Sequence, residues 1–432
     1  MVASLERAKI SFVPIVIQYK GTLDPAILNP FLYFTGYYQA TGKPLYFNEL
    51  PVPALHEIRH IDNQTAHVLD GDRKVGEIRY FPGSQRLIQQ VDWLDASGQK
   101  LCSDRYSMQG FKYSYCQYVN NQEKKQVFVD AEDNEVIVWD LESKQLTLMY
   151  HGKQLGFQNL TTFIHFFIDW LTEKELHFST EEFYINNLST PLAVAERYQQ
   201  VPTTLFWQEQ LREDVPGNLK RQLEKPLALR RVIFDTQKEQ AALERLFPAP
   251  AHVTYHYLGP IEQFTRQHAF SKKALTVTKS DDILYLEEIA QMYPTIHWTI
   301  AAPTQVSEKL TNLEAAYENI HVQPQISEEQ LEEMLQQHDW YFDFNSGVEV
   351  SESIVRAYEQ NYLIFTEKGR AKNARYALEV DPEGVWKELI GECLNDRRIE
   401  LNLLKQLHEK NGPAGTSQLY RQLLNQWVEE IR

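Results

Sequence analysis

Between Lys43 and Tyr150 short apolar segments recur at about 8–12-residue spacing, and no other feature limits the fold as strongly. Ala66–Leu69, Val75–Phe81, Leu87–Leu94, Lys100–Tyr106, Phe111–Val119, Gln126–Asp130, Val136–Trp139 and Leu146–Tyr150 favour β-branched and aromatic residues. Asp70-Gly71-Asp72, Asp95-Ala96-Ser97-Gly98, Asn120-Asn121 and the run from Asp130 to Asn134 lie between them. Gly98 and the Asn pair accept the positive φ that tight turns demand, so the spacing predicts an antiparallel meander.

The flanking texture differs. Phe12–Gln18 reads as a short strand, followed by an apolar stretch at Phe31–Phe34. After Gly156 the period becomes helical: Leu160, Phe163, Ile164, Phe167, Ile168 and Leu171 share one face. Strands at Leu205–Trp207 and Ala228–Phe234 follow, the second leading into a Gln237–Phe247 helix. Ala274–Thr278, Ile296–Ala301, Ile320–Val322, Trp340–Phe344 and Leu363–Phe365 then alternate with helices, one opened by the capping box of Ser327 and Gln330. Such alternation implies a parallel sheet covered on both faces. The expected α/β architecture is two Rossmann-like domains facing a cleft, with the meander inserted in the first. Expected divisions are 1–42 with 151–264, the insertion 43–150, a second domain 265–412, and a terminal amphipathic helix 413–432 packing back on the first.

Composition narrows the function classes. With 43 Lys+Arg against 59 Asp+Glu the 432-residue chain carries −16, which argues against a general nucleic-acid binder or a polybasic membrane anchor. No apolar run approaches the roughly 20 residues of a spanning helix, and Pro14 breaks the stretch that would serve a signal peptide. Cys102, Cys116 and Cys393 are odd in number and lack a CxxC spacing, as expected for free thiols in a reducing cytosol.

Short motifs carry little chemistry. His56-Glu57-Ile58-Arg59-His60 spells the HExxH of zinc proteases, but it leads into the meander. On a strand the two histidines stand roughly 13 Å apart, too far for one ion, so an exposed strand edge is expected and no metal. His165 reads as a satisfied core residue, and His252 and His256 flank a strand without a third ligand. GxSxG, Walker A and GxGxxG sequences are absent. The adjacent carboxylate pairs, such as Glu328-Glu329, read as solvated helix faces. Two loops at strand ends remain. Asn345-Ser346-Gly347 follows the Trp340–Phe344 strand, where open parallel sheets bind ligands. Trp207, Gln208, Glu209 and, after a turn, Asn218 gather aromatic, amide and carboxylate groups suited to sugar or peptide contact, or equally a buried Trp and a capping Asn.

Pro44-Leu45-Tyr46-Phe47-Asn48 through Pro51-Val52-Pro53, Gln90-Val91-Asp92-Trp93-Leu94-Asp95, Phe206 to Asn218, and Asp343-Phe344-Asn345-Ser346-Gly347 with Glu349-Val350 together resemble one family. It is the stabilising subunit (GtfB type) of the bacterial O-GlcNAc transferase that modifies serine-rich repeat adhesins, and the resemblance runs from about Phe12 to the terminal helix. It implies a GT-B-like fold and a catalytic O-GlcNAc transferase subunit as partner at the cytoplasmic face of the membrane. It also implies a serine-rich repeat acceptor captured before accessory-Sec export, no cofactor, and no transferase activity of its own.

Active retaining relatives use two glutamates eight positions apart, the second preceding an Ala. Setting that Ala on Ala357 places Arg356 and Val348 where the carboxylates belong. Of the cations that grip the donor diphosphate, Lys279 alone remains, followed by Asp281 and Asp282. The resemblance thus implies a degenerate donor site at Lys279, Val348 and Arg356; the position of the two strand-end loops makes Trp207, Gln208, Glu209, Asn218, Asn345, Ser346 and Gly347 the candidate acceptor contacts. Glu349, Glu352 and Glu359 lie close by, so an active UDP-GlcNAc-dependent GT-B transferase stays open as the alternative.

Overall fold

The computed structural model describes residues 1–82, 84, 86–175 and 181–424. Its largest sheet is the meander: β1 (His56–His60), β2 (Thr65–Asp70), β3 (Arg73–Tyr80), β4 (Ile88–Leu94), β5 (Lys100–Tyr106), β6 (Lys112–Val119), β7 (Gln122–Val129), β8 (Glu135–Asp140), β9 (Leu146–Tyr150) and β10 (Lys153–Phe157). Each strand pairs antiparallel with the next, leaving β1 and β10 as the edges. The HExxH segment is edge strand β1, with His56 opposite Asp70 and His60 opposite Ala66.

A register shift interrupts every pair from β2–β3 to β7–β8, and such bulges bend and twist a sheet. Paired residues share a face, so Ile78, Val91, Asp104, Tyr115, Val127 and Val138 form one rank across the sheet. At the β1–β4 end the face of this rank is buried, with Ala66, Val68, Ile78 and Val91 packed against Leu50 and Tyr106. At the other end the opposite face is buried: Phe128, Ile137 and Leu148 pack on Phe31, Phe34 and the helix Leu160–Trp170. The crossover falls at β5 and β6, where Ser103, Ser114 and Cys116 are fully buried.

Two parallel sheets complete the molecule. The smaller contains β11 (Phe183–Ile185), β12 (Thr203–Trp207), β13 (Leu229–Phe234) and β14 (Thr254–Tyr257) in chain order. The larger contains β15 (Lys273–Val277), β16 (His297–Ala302), β17 (Ile320–Pro324), β18 (Trp340–Asp343), β19 (Leu363–Glu367) and β20 (Leu378–Val380). Its order, β17-β16-β15-β18-β19-β20, reverses between β15 and β18, which creates a topological switch point at their carboxyl ends. This is the GT-B-like α/β architecture expected from the sequence, meander included.

Several elements differ from expectation. Phe12–Gln18 is not a strand: only an isolated bridge joins Ile15 to Leu28, and Pro14 supplies no ladder donor. The chain instead enters the helix Pro30–Phe34, capped by the buried Asn29, whose Oδ1 accepts from Phe31 N and Leu32 N at 3.0 Å each. The large sheet continues one strand past Tyr150, and β11 and β20 were not expected. The terminal helix is Ser417–Leu424, the remainder to Arg432 lying outside the described residues. Its Tyr420 and Leu424 pack with Leu5, Ala8, Phe206, Ile233 and Leu258. His165 is buried, with Nε2 3.1 Å from Val194 O, and His252 Nε2 lies 3.0 Å from Gln222 O. Among the described residues no helix is long and apolar enough to cross a membrane.

Candidate functional site

The loops that leave β15 and β18 frame the switch point, and they are hydrogen-bonded to each other. Leu284 N donates to Phe344 O at 2.9 Å, Ser346 N donates to Asp282 O at 3.2 Å, and the Ser280 and Ser346 hydroxyls meet at 3.0 Å. Ile283 and Asn345 form an antiparallel bridge. Thr278 Oγ1 donates to Ser280 O at 2.8 Å, which tightens the first loop further.

Beneath the loops lies a buried polar knot. Asp343, the last residue of β18, is 2% exposed and is ion-paired to Lys372, whose Nζ also donates to Asn345 Oδ1 at 2.8 Å. Lys372 N adds a bond to Asp343 Oδ2 at 3.2 Å. Asn345 is buried with one amide face committed to Lys372, and its Nδ2 has no hydrogen-bond partner among the described residues. Ser346 is exposed and Gly347 half-buried, 3.4 Å from Asn345 Oδ1 and from Ser280 Cβ when a Cβ is built on it. The loop Asn345-Ser346-Gly347 therefore offers hydroxyl and amide groups, with the nearest cation already neutralised.

The residues aligned with the donor machinery are scattered. Lys279 is exposed on the β15 loop, and Val348 is 71% exposed. Arg356 belongs elsewhere: its guanidinium donates to Glu328 Oε2 at 2.9 Å and Glu332 Oε2 at 2.8 Å, on the neighbouring helix Glu328–Gln337. Burial opposes its charge, but the bonds to Glu332 and Glu328 outweigh it and hold the guanidinium pKa above its ordinary value. Arg356 thus ties two helices together and lines a polar groove of about 460 Å³ with Thr265, Glu332 and Gln360. Glu349 accepts from Ile354 N at 3.0 Å and so caps the helix Ser353–Glu359. Ser351 and Glu352 before it both hold positive φ, 48° and 51°, a strained pair for non-glycine residues.

On the other side of the cleft, Trp207 is corrected from a contact residue to a core residue. It is 3% exposed and packs with Leu219, Leu223 and Phe234, because β12 is buried along its whole length. Gln208 and Glu209 are exposed just past the carboxyl end of β12. Asn218 is exposed and donates to Leu188 O at 3.0 Å, so it pins a loop.

Two residues of the cleft were missed from sequence. Asp235, immediately after β13, is ion-paired to Arg375, which lies between β19 and β20. The available signal was a basic run, Lys368, Arg370, Lys372 and Arg375, in a chain of strongly negative charge.

Comparison with known proteins finds matches along most of the chain. A GtfB middle-domain family model matches residues 56–158, a GtfB third-domain model residues 161–246, and a GftB/GlyA-F C-terminal-domain model residues 274–389. The UDP-N-acetylglucosamine–peptide N-acetylglucosaminyltransferase stabilizing protein GtfB of Streptococcus pneumoniae serotype 4 is 29% identical over 428 residues, covering 98% of this chain and 94% of its own. The like-named protein of Streptococcus gordonii is 30% identical over 367 residues, covering 84% and 80%. A chain of a crystallised GtfA/B complex bound to UDP and GlcNAc superposes with a TM-score of 0.88 at 26% identity, covering 98% of this chain and 96% of that one.

Proposed function

The chain belongs to the GtfB family of glycosyltransferase-stabilizing proteins, and from that premise we propose that it is the non-catalytic partner of an O-GlcNAc transferase in protein glycosylation. In this role it stabilises the catalytic subunit and presents a Ser/Thr-rich acceptor of the serine-rich repeat class. The observation that carries the non-catalytic reading is the switch point. Loops bonded to each other, a lysine neutralised by Asp343, and an Arg356 turned onto its helical neighbours commit the charged groups described there to internal contacts and away from a nucleotide-sugar diphosphate. What remains, Asn345, Ser346 and the exposed Gln208 and Glu209, suits hydroxyls and backbone amides. A disordered acceptor pays ordering entropy on binding, so a neutral groove gives the modest affinity that repeated capture and release requires.

The meander supplies the assembly surface in this proposal. Edge strand β1 carries unpaired backbone groups and is flanked by Leu55, 96% exposed, and Ile61, 46% exposed. Such an edge is a template for a strand of the partner. The division into a first domain of 1–42 and 151–264, an insertion of 43–150, a second domain of 265–412 and a terminal helix belongs to the same proposal. So does a site of action at the cytoplasmic face of the membrane.

The test is intact-mass analysis of a Ser/Thr-rich repeat peptide with UDP-GlcNAc, incubated with this chain, with the catalytic partner, or with both. Mass gain that needs the partner and rises sharply when both are present is the expected result. HexNAc addition by this chain alone would instead identify an active transferase.

A further inference from the structure

The segment between β19 and β20 leaves the carboxyl end of β19 and returns to pair with the last three residues of the same strand, since Phe365 faces Leu378 and Glu367 faces Val380. It is a loop that leaves the carboxyl end of β19 and reaches the smaller parallel sheet. Two of its four cations reach out in different directions. Lys372 turns into its own domain, onto Asp343 and Asn345 at the switch point. Arg375 crosses to the other domain, onto Asp235 at the carboxyl end of β13. That second pair is three-quarters buried on both sides, with side-chain exposures of 25% and 24%.

The returning chain fastens the same loop from behind. Asn411 Nδ2 donates to Arg375 O at 3.0 Å, and Lys410 Nζ donates to Ala374 O at 2.6 Å and Ala377 O at 2.7 Å. Just beyond, Gln237 N donates to Asn411 O at 3.3 Å and Tyr257 Oη to Pro413 O at 2.6 Å, both from the first domain. Loop, ion pair and return segment thus close a ring of contacts between the two parallel sheets. A two-domain cleft normally opens and closes by hinge motion around a small ligand. A bridge placed beside the segments where the chain passes between the domains opposes that motion.

We propose that Glu367–Ala377 is a strap across the cleft, with Arg375 and Asp235 as the positioning residues that fix its width for the acceptor. The proposal rests on the reading that this cleft takes the acceptor peptide. A groove held at one width needs no closure, so each repeat binds without reorganising the domains. The strap acts on acceptor affinity through geometry and touches no reacting atom.

The experiment follows distance and kinetics together. Spin labels at Lys220→Cys and Lys309→Cys, one on each domain, in a Cys102→Ser background, report the interdomain distance in the full-length chain. Wild type gives one narrow distribution; Arg375→Ala and Asp235→Asn broaden it, and the swap Asp235→Arg with Arg375→Asp narrows it again. In complex with the catalytic partner, Arg375→Ala raises KM for a repeat peptide about ten-fold while kcat and the KM for UDP-GlcNAc stay put. A narrow distribution in Arg375→Ala overturns the strap. So does an unchanged peptide KM where the wild-type chain binds the peptide. If the wild-type chain binds no peptide, the acceptor reading falls and the distance measurement still decides the strap. Should Arg375→Ala not fold, Arg375→Gln, which keeps most of the side chain without the charge, is read the same way.

Discussion

Asp339, the residue before β18, has no exposed surface and accepts from Arg266 Nη1 at 2.7 Å, Ala269 N at 3.0 Å and Ser271 N at 2.7 Å. Burial pushes its carboxyl pKa up, but those donors outweigh burial and bring it down to about 2. A carboxylate whose folded pKa lies below its unfolded value stabilises fully above the unfolded pKa, near 4, and loses that contribution as pH falls towards 2. The shift corresponds to about 2 kcal/mol. Asp339→Asn removes about that much at neutral pH and flattens the stability slope between pH 4 and 2, which urea unfolding across that range checks. Trp207 gives a second test at this scale. Its Nε1 is buried without a hydrogen-bond partner among the described residues, so Trp207→Phe costs less than about 2 kcal/mol, whereas Trp207→Ala costs about 3–5 kcal/mol by leaving a cavity. Peptide affinity of the folded Trp207→Phe chain equals wild type, since the ring serves the core.

Strands and helices with strong period were legible. The meander's turns, the Leu160–Trp170 helix and the Ser327 capping box sit where composition places them, because each depends on neighbours in sequence. β11 and β20, three residues each, are too short to show a period, and β7 begins in the charged Gln122-Glu123-Lys124-Lys125, whose side chains lie at or near the surface. The site was legible only in part. The fold rule located Asn345-Ser346-Gly347, but Arg375 and Asp235 meet across 140 positions, and no spacing rule connects them. Trp207 was ambiguous because an aromatic at a strand end serves a core or a ligand equally well; burial of all of β12 decides it. Two predictions belong to elements. Leu55→Asp with Ile61→Asp weakens binding to the catalytic partner at least about ten-fold, with the melting temperature of the free chain unchanged, as titration calorimetry and thermal unfolding would read. Gly412 has φ 108°, and a Cβ there would lie 2.7 Å from the Tyr257 ring and hydroxyl. Gly412→Ala therefore destabilises the chain by about 1–3 kcal/mol, measured by chemical denaturation.

At the scale of the molecule, a framework of internal contacts joins the carboxyl ends of the two parallel sheets. Asp343 and Asp235 answer the two inward cations of the strap, and Asp281 and Asp282 follow Lys279. A diphosphate therefore meets carboxylates as often as ammonium groups, whereas an uncharged peptide meets no such opposition. A partner that binds only the folded chain also stabilises it by mass action. The catalytic subunit at about 100 times its Kd adds about 2.7 kcal/mol, visible as a rise in melting temperature that Leu55→Asp with Ile61→Asp cuts to the equivalent of about 1.4 kcal/mol or less.

The meander buries one face at β1–β4 and the opposite face at β7–β10. A ribbon clamped from above at one end and from below at the other resists being slid but yields to torsion. The small buried side chains of Ser103, Ser114 and Cys116 lie where the buried face changes over. The sheet thus joins its free edge, β1, to the helix Leu160–Trp170 that leads into the first parallel sheet.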